Sequence, residues 1–157
     1  MADPAANEAN LLALERQVCF ALAVASRSVI GLYRPLLEPM GLTHPQYLVM
    51  LALWEHEHLS VRRLSELLLL EPATLSPLLK RLEVQGYLNR PRDPDDERAL
   101  RVELTEAGRN LRDDALDIPP AIMSRLDMSR TELETLHATL TAVIGRATTA
   151  ERPPQAR

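Results

Sequence analysis

Leucines recur every three or four positions through residues 60–70 and again through residues 71–86, a pattern that predicts two helices joined by a tight turn. In the second block Leu75, Leu78, Leu79 and Leu82 share one face, while Thr74, Ser76, Lys80 and Arg81 occupy the other. After Gly86, residues 87–92 and 99–104 read as the strands of a hairpin, with residues 93–98 as a long charged turn. Upstream, a first helix is predicted from about Glu8 to Tyr33. It carries one apolar stripe through Leu11, Leu14, Val18, Leu22, Ala25, Val29 and Tyr33, and a second through Leu12, Cys19, Ala23, Ser26 and Ile30. Burial around so much of its circumference calls for more than one packing partner.

The remaining elements are announced by their ends. Pro39-Met-Gly41 closes the first helix, and Thr43-His-Pro-Gln46 combines an N-cap, a first-turn proline and a capping glutamine. That signal opens a helix through Tyr47, Leu48, Leu51 and Trp54 to about His56. Thr105 caps a helix that Ile118-Pro119-Pro120 interrupts, because proline has no amide to donate. Ser129-Arg-Thr-Glu132 is a capping box for the last helix. The expected class is mainly α with a small β-hairpin wing. A winged helix-turn-helix over residues 43–104 lies between the two parts of a helical dimerisation region, residues 8–36 and 105–147. Residues 1–7 and 148–157 read as disordered ends.

Composition narrows the function. At 157 residues and 46% apolar content a core can form, but only 3% of residues are aromatic, so it must be aliphatic. Too few rings are present for a stacking platform on single-stranded nucleic acid. The net charge of −4 hides a local surplus: residues 60–92 hold six basic side chains against three acidic ones. Most such clusters merely solvate helix faces; the hairpin that follows sets this one apart. Two helices and a hairpin tipped with arginine form an arrangement that docks on duplex DNA. Candidate contacts are Arg62, Thr74, Ser76, Pro77, Lys80, Arg81 and Arg90, groups suited to phosphates and base edges. The terminal helices carry more apolar surface than one small domain covers. A two-fold dimer would bury it and set two recognition helices about one DNA turn apart, matching a pseudo-palindromic operator. The alternative is an intramolecular helical bundle.

Glu8, Glu15 and Arg16 break up the early apolar residues, so no secretory signal is expected, and no apolar run reaches the length of a membrane span. With a single cysteine, the simplest expectation is a cytoplasmic protein without disulfides. His56 and His58 flank Glu57, but no further ligand lies at metal spacing, so they read as solvated helix-end residues. Neither a metal nor a cofactor is implied.

The element order, with Asp96-Glu-Arg98 at the hairpin tip and Leu104-Thr-Glu-Ala-Gly108 after it, resembles the MarR family of bacterial regulators from about residue 10 to 147. Gln17-Val-Cys-Phe20, Tyr33-Arg-Pro-Leu-Leu37, Thr43-His-Pro-Gln-Tyr47, Leu53-Trp-Glu-His-Glu57 and residues 74–81 are similar to its OhrR branch, repressors of organic-hydroperoxide defence genes. The resemblance implies that Arg98 enters the minor groove and that Asp96 orients the wing; Ala99 stands where the family usually has serine. It also implies that Cys19 is the peroxide sensor, supported by Tyr33. The two are 14 residues apart, about 21 Å along a straight helix, so contact requires the partner subunit's Tyr33.

Two of the family's supporting tyrosines are replaced, by Ala23 and by His44. A protonated His44 would supply a charge in place of a hydroxyl. With no second cysteine, oxidised Cys19 would end as a mixed disulfide with a low-molecular-weight thiol, or over-oxidised. Two rival readings stand beside this one. One is a repressor released by a small-molecule ligand, with Cys19 inert. The other is a thiol peroxidase, against which the chain has no arginine beside the cysteine and no strand–helix redox motif.

Overall fold

The structure, a computed structural model, describes residues 12–96 and 98–150. It divides into two compact units, the first ending at Leu116 and the second beginning at Asp117. In the first unit a short 3-10 turn, Leu14–Arg16, precedes helix α1, Val18–Leu37. The helix was expected to run from Glu8. Instead extended backbone at Gln17 (φ −80°, ψ 122°) separates it from the turn, and no side chain caps its start. Without a capping residue before Val18, the apolar stripe alone could not mark the boundary. At the other end α1 continues past Tyr33 and through Pro35.

An elbow follows: a 3-10 turn, Glu38–Met40, then Gly41 at φ +67°, a conformation glycine takes without strain. Helix α2, His44–Glu55, opens with the expected box, the Thr43 amide donating to Gln46 Oε1 at 2.8 Å. Helix α3, Val61–Leu68, begins where Ser60 Oγ accepts the Arg63 amide at 3.1 Å. Leu69, left-handed at φ 52°, turns the chain into α4, Pro72–Val84. Gly86, at φ +82°, ends α4: its amide donates to Glu83 and the Tyr87 amide to Leu82, both at 3.0 Å.

The wing belongs to a three-stranded antiparallel sheet, not a two-stranded hairpin. Strand β1, His58–Ser60, lies beside β3, Arg101–Leu104, with β2, Leu88–Asn89, on the other side of β3. Leu59 pairs with Val102 and Leu88 with Leu104; an isolated bridge joins Arg92 to Leu100. His58 is therefore a strand residue and not the end of a helix. Three residues are too few for a strand pattern to be visible in the sequence.

Helix α5, Glu106–Ala115, is capped by Thr105, whose Oγ1 accepts the Gly108 amide at 3.1 Å. The core of this unit is aliphatic as expected: Leu37, Val49, Met50, Leu64, Leu75, Leu82, Leu88 and Val102 are fully buried. In the second unit α6, Ile118–Leu126, places both prolines in its first turn, so the break falls just before Ile118. Helix α7, Arg130–Ala150, opens with the Ser129–Glu132 box, the Ser129 amide donating to Glu132 at 2.8 Å. Residues 148–150, expected in a disordered tail, are its last turn, whereas 1–7 and 151–157 lie outside the described residues.

Two helices are barely covered. Leu37 is the only buried residue of α1, and α7 has none. Contrary to the expectation from sequence, residues 18–40 are long and apolar enough to cross a membrane by length and composition, although Arg27 and Arg34 interrupt them.

Gly108 is where α5 meets the end of α4. A Cβ there would lie 2.0 Å from the Tyr87 carbonyl oxygen, and the Trp54 indole N–H donates to the Gly108 carbonyl at 2.9 Å. Gly108→Ala should lower folding stability by about 1–3 kcal/mol or more, the usual cost of forcing extra carbon into a packed site. Denaturant unfolding of the two proteins measures it.

Candidate nucleic-acid interface and thiol site

Helix α4 presents two faces. Leu75, Leu79 and Leu82 are buried, while Thr74, Ser76, Pro77, Lys80 and Arg81 are all exposed on one continuous surface. Pro77 sits inside the helix and withholds the amide that Ala73 would otherwise receive. The α3 end of the same surface carries Arg62, 90% exposed, with Nε 3.2 Å from Glu66. An exposed pair of this kind contributes little, so Arg62 is free to swing to a phosphate.

The hairpin tip holds Arg98 in the open. Asp96 shapes it locally: its Oδ1 accepts the Arg98 amide at 3.0 Å, and its carbonyl accepts the Ala99 amide at 2.9 Å. The aspartate thus orders the backbone that carries the arginine.

Arg90 is engaged within the protein. Its Nη2 and Nε donate to Glu83 Oε2 at 2.6 and 3.1 Å, with the arginine side chain only 21% exposed. Those hydrogen bonds hold the Glu83 carboxyl below its usual range. Arg90 ties the base of the wing to the last turn of α4, so its guanidinium is committed within the protein.

Cys19 is exposed and occupies the first turn of α1, directly beside the uncapped amides of that helix end. An expected mid-helix thiol therefore stands exposed at a helix N-terminus. Tyr33 lies on the same helix, far from Cys19 in its own chain. The Tyr33 ring meets His44 edge-on with centroids 5.1 Å apart and Tyr47 at 5.9 Å; Tyr47 in turn contacts Trp54 at 6.3 Å. Sequence reasoning named Tyr33 and His44 but missed that Tyr47, read only as a helix residue, completes their cluster.

Burial pushes the tyrosine hydroxyls of Tyr33 and Tyr47 up and the His44 imidazole down from 6.5. Burial thus opposes the charge expected of His44 and favours its neutral ring, which can donate or accept a hydrogen bond. A histidine whose folded value is depressed binds its proton more readily in the unfolded chain. Stability should accordingly fall as pH drops below about 6.5 and level off below the folded value. His44→Gln should remove that part of the decline, read from unfolding midpoints between pH 5 and 7.5.

The described residues hold no group of three or more His, Cys, Asp or Glu placed to bind a metal ion.

Comparison with known proteins places this arrangement. The family model of transcriptional regulators SarA/Rot matches residues 31–115. An organic hydroperoxide resistance transcriptional regulator of Bacillus subtilis (strain 168) is 42% identical over 134 residues, covering 85% of this chain and 91% of that protein. The HTH-type transcriptional regulator TtmR of Methylorubrum extorquens (strain PA1) is 40% identical over 144 residues, covering 89% and 74%. A solved structure of overoxidized AbfR bound to DNA is similar at a TM-score of 0.73 and 30% identity, over 89% of this chain and 98% of that one. The protein is a DNA-binding transcriptional regulator and not an enzyme, and it belongs to the MarR family, in the branch of the organic-hydroperoxide-resistance regulators.

Proposed function

We propose that this regulator is a cytoplasmic homodimeric repressor that holds a pseudo-palindromic operator when reduced and releases it when organic hydroperoxide oxidises Cys19. The observation that carries this reading is an exposed thiol in the first turn of α1, a helix whose apolar flank is otherwise uncovered. Val18 is 71% exposed and Ile30 39% on that flank, and Leu136 and Ile144 on α7 are 43% and 49% exposed. A second copy of the chain covers such surfaces and brings its Tyr33 toward Cys19, which the spacing forbids within one chain. Sensor and dimer seam are then one place.

The chemistry balances with the hydroperoxide as sole oxidant. The Cys19 thiolate attacks the terminal peroxide oxygen, the O–O bond breaks, and the leaving alkoxide takes a proton to become an alcohol. Cys19 is left as a sulfenic acid. A low-molecular-weight thiol then condenses with it, expelling water and forming a mixed disulfide; excess peroxide instead drives over-oxidation. Tyr33 of the partner supports the anion through its hydroxyl, and neutral His44 holds the Tyr33 ring. DNA is contacted by Arg62, Thr74, Ser76, Pro77, Lys80, Arg81 and Arg98, with Asp96 ordering the tip.

A second reading, release by a small ligand with Cys19 inert, is favoured by one observation. A cavity of about 910 Å³ opens between α2, the sheet and α5, lined by Trp54, His58, Arg101, Arg109 and Arg112 among others. Arg101 Nε is buried there with no hydrogen bond, its nearest charge being the Glu103 carboxylate at 3.7 Å.

Operator release separates the two. Wild type treated with organic hydroperoxide should lose operator binding in a shift assay, and Cys19→Ser should keep it. Equal release from both proteins, or from neither, makes Cys19 a packing residue.

The two wing arginines should also part company. Arg98→Ala should weaken operator binding by about 1–3 kcal/mol, the range for a groove contact. Arg90→Ala should act through the wing base instead, so Glu83→Ala should reproduce its effect. If Arg90→Ala alone lowers the salt dependence of binding by about one phosphate contact, Arg90 touches DNA after all.

A further inference from the structure

The end of α4 and the elbow between α1 and α2 are joined by side chains that the DNA-binding and thiol sites do not use. Gln85, the first residue past α4, donates from Nε2 to the Gly41 carbonyl at 2.6 Å. Its Oε1 accepts from Gln46 Nε2 at 3.2 Å. The Tyr87 hydroxyl donates to the Met40 carbonyl at 2.9 Å. Both elbow carbonyls are thus held by the segment that ends the recognition helix. On its other side the elbow runs through Thr43, whose amide Gln46 holds, to His44 against Tyr33 on α1.

We propose that Gln85 and Tyr87, with Gln46 behind them, form a coupling joint through which the state of α1 is passed to the recognition helix. The proposal rests on the reading of Cys19 as sensor, and it names the residues that turn a change on α1 into a change at the DNA.

The composition of the joint supports this. Helix α4 is kept folded by Leu75, Leu79 and Leu82, which do not depend on the elbow hydrogen bonds. Gln85 is exposed, so water can replace its partners when the bond to Gly41 opens. A hydrogen bond exchanged for water costs little net free energy, whereas separating leucine packing costs much more. The connection can therefore open and close while both helices stay intact. The elbow consists of one 3-10 turn and a left-handed glycine, with Leu37, Met40 and Leu42 buried, so its hydrogen bonds to Gln85 and Tyr87, and not its apolar packing, are the adjustable part. Gln46, 3% exposed, anchors the joint by bonding both the α2 cap and Gln85.

Coupling is reciprocal, so operator binding must alter the environment of Cys19 if α1 alters operator binding. The test uses the rate of Cys19 alkylation by iodoacetamide, followed by mass, in free protein and in protein saturated with operator. Wild type should show a clear difference between the two rates, which report the surroundings of the thiol in each state. Gln85→Ala, Tyr87→Phe and their combination should bring the two rates together, with operator affinity of the reduced protein nearly unchanged. Val84→Ala, at an exposed neighbouring position, should keep the wild-type ratio.

Three outcomes overturn the proposal. The wild-type rates are equal; the variants retain the wild-type ratio; or the folded variants lose operator binding outright, which makes the residues supports for DNA contact. Hydroperoxide-triggered release is scored separately on the same proteins. Failure of wild type to release defeats the sensor reading, while the alkylation ratio still decides the joint.

Discussion

The close approach of α5 to the end of α4 is the constraint on which the DNA-binding unit depends. Only a residue without a side chain fits at Gly108, where the Tyr87 carbonyl occupies the space of a Cβ. Around that contact three bonds converge: Thr105 Oγ1 donates to the Gly86 carbonyl at 2.6 Å, the Thr105 amide to Tyr87 at 3.1 Å, and Trp54 to Gly108 at 2.9 Å. The turn at 86–87 thereby ends the recognition helix, begins the wing and receives α5 within a few ångströms. Such a hub ties the end of α4 and the start of the wing to one point, which in the proposed DNA contact would set Arg81 and Arg98 relative to each other. The same turn projects Gln85 and Tyr87 toward the elbow, so rigidity at the DNA face is also what gives a distant movement something to pull on.

Much of this was legible because it is local. Capping boxes at Thr43 and Ser129, the cap at Thr105 and the leucine spacing of α4 are written in four to eight consecutive residues, and each fell where expected. Other features depend on what the chain meets in space. The start of α1 has no capping signal, and β1 is three residues whose partner lies more than forty positions away. Arg90 has the residue type of a phosphate contact. Its neighbour Glu83, seven positions back across a turn, withdraws it. Gln85 looks like any exposed polar residue at a helix end until the Gly41 carbonyl is found beside it.

His44 shows how burial changes the meaning of a substitution. In sequence it replaces a hydroxyl with a group able to carry charge at neutral pH. Packed against Tyr33 near Tyr47, it loses water, and desolvation disfavours the protonated form. What the exchange retains is therefore shape and one hydrogen-bonding edge, and not electrostatic attraction. The Tyr33 and Tyr47 hydroxyls are shifted the other way by the same burial, so burial favours the neutral form of every member of the cluster. In the sensor reading proposed above, help for Cys19 would therefore come from neutral donors and not from a charged His44.

An uncharged support has a consequence for how the thiol responds to pH. A protonated imidazole beside the sulfur would have lost its charge as pH rose. Hydroxyl and amide donors keep their protons until far higher pH. Because such donors do not titrate near 6.5, His44 should add no dip to Cys19 reactivity there, and His44→Tyr, which exchanges one neutral donor for another, should leave the profile in that range unchanged. A measured dip near 6.5 that disappears in His44→Tyr would mean that dimerisation returns to His44 the proton that burial within one chain removes.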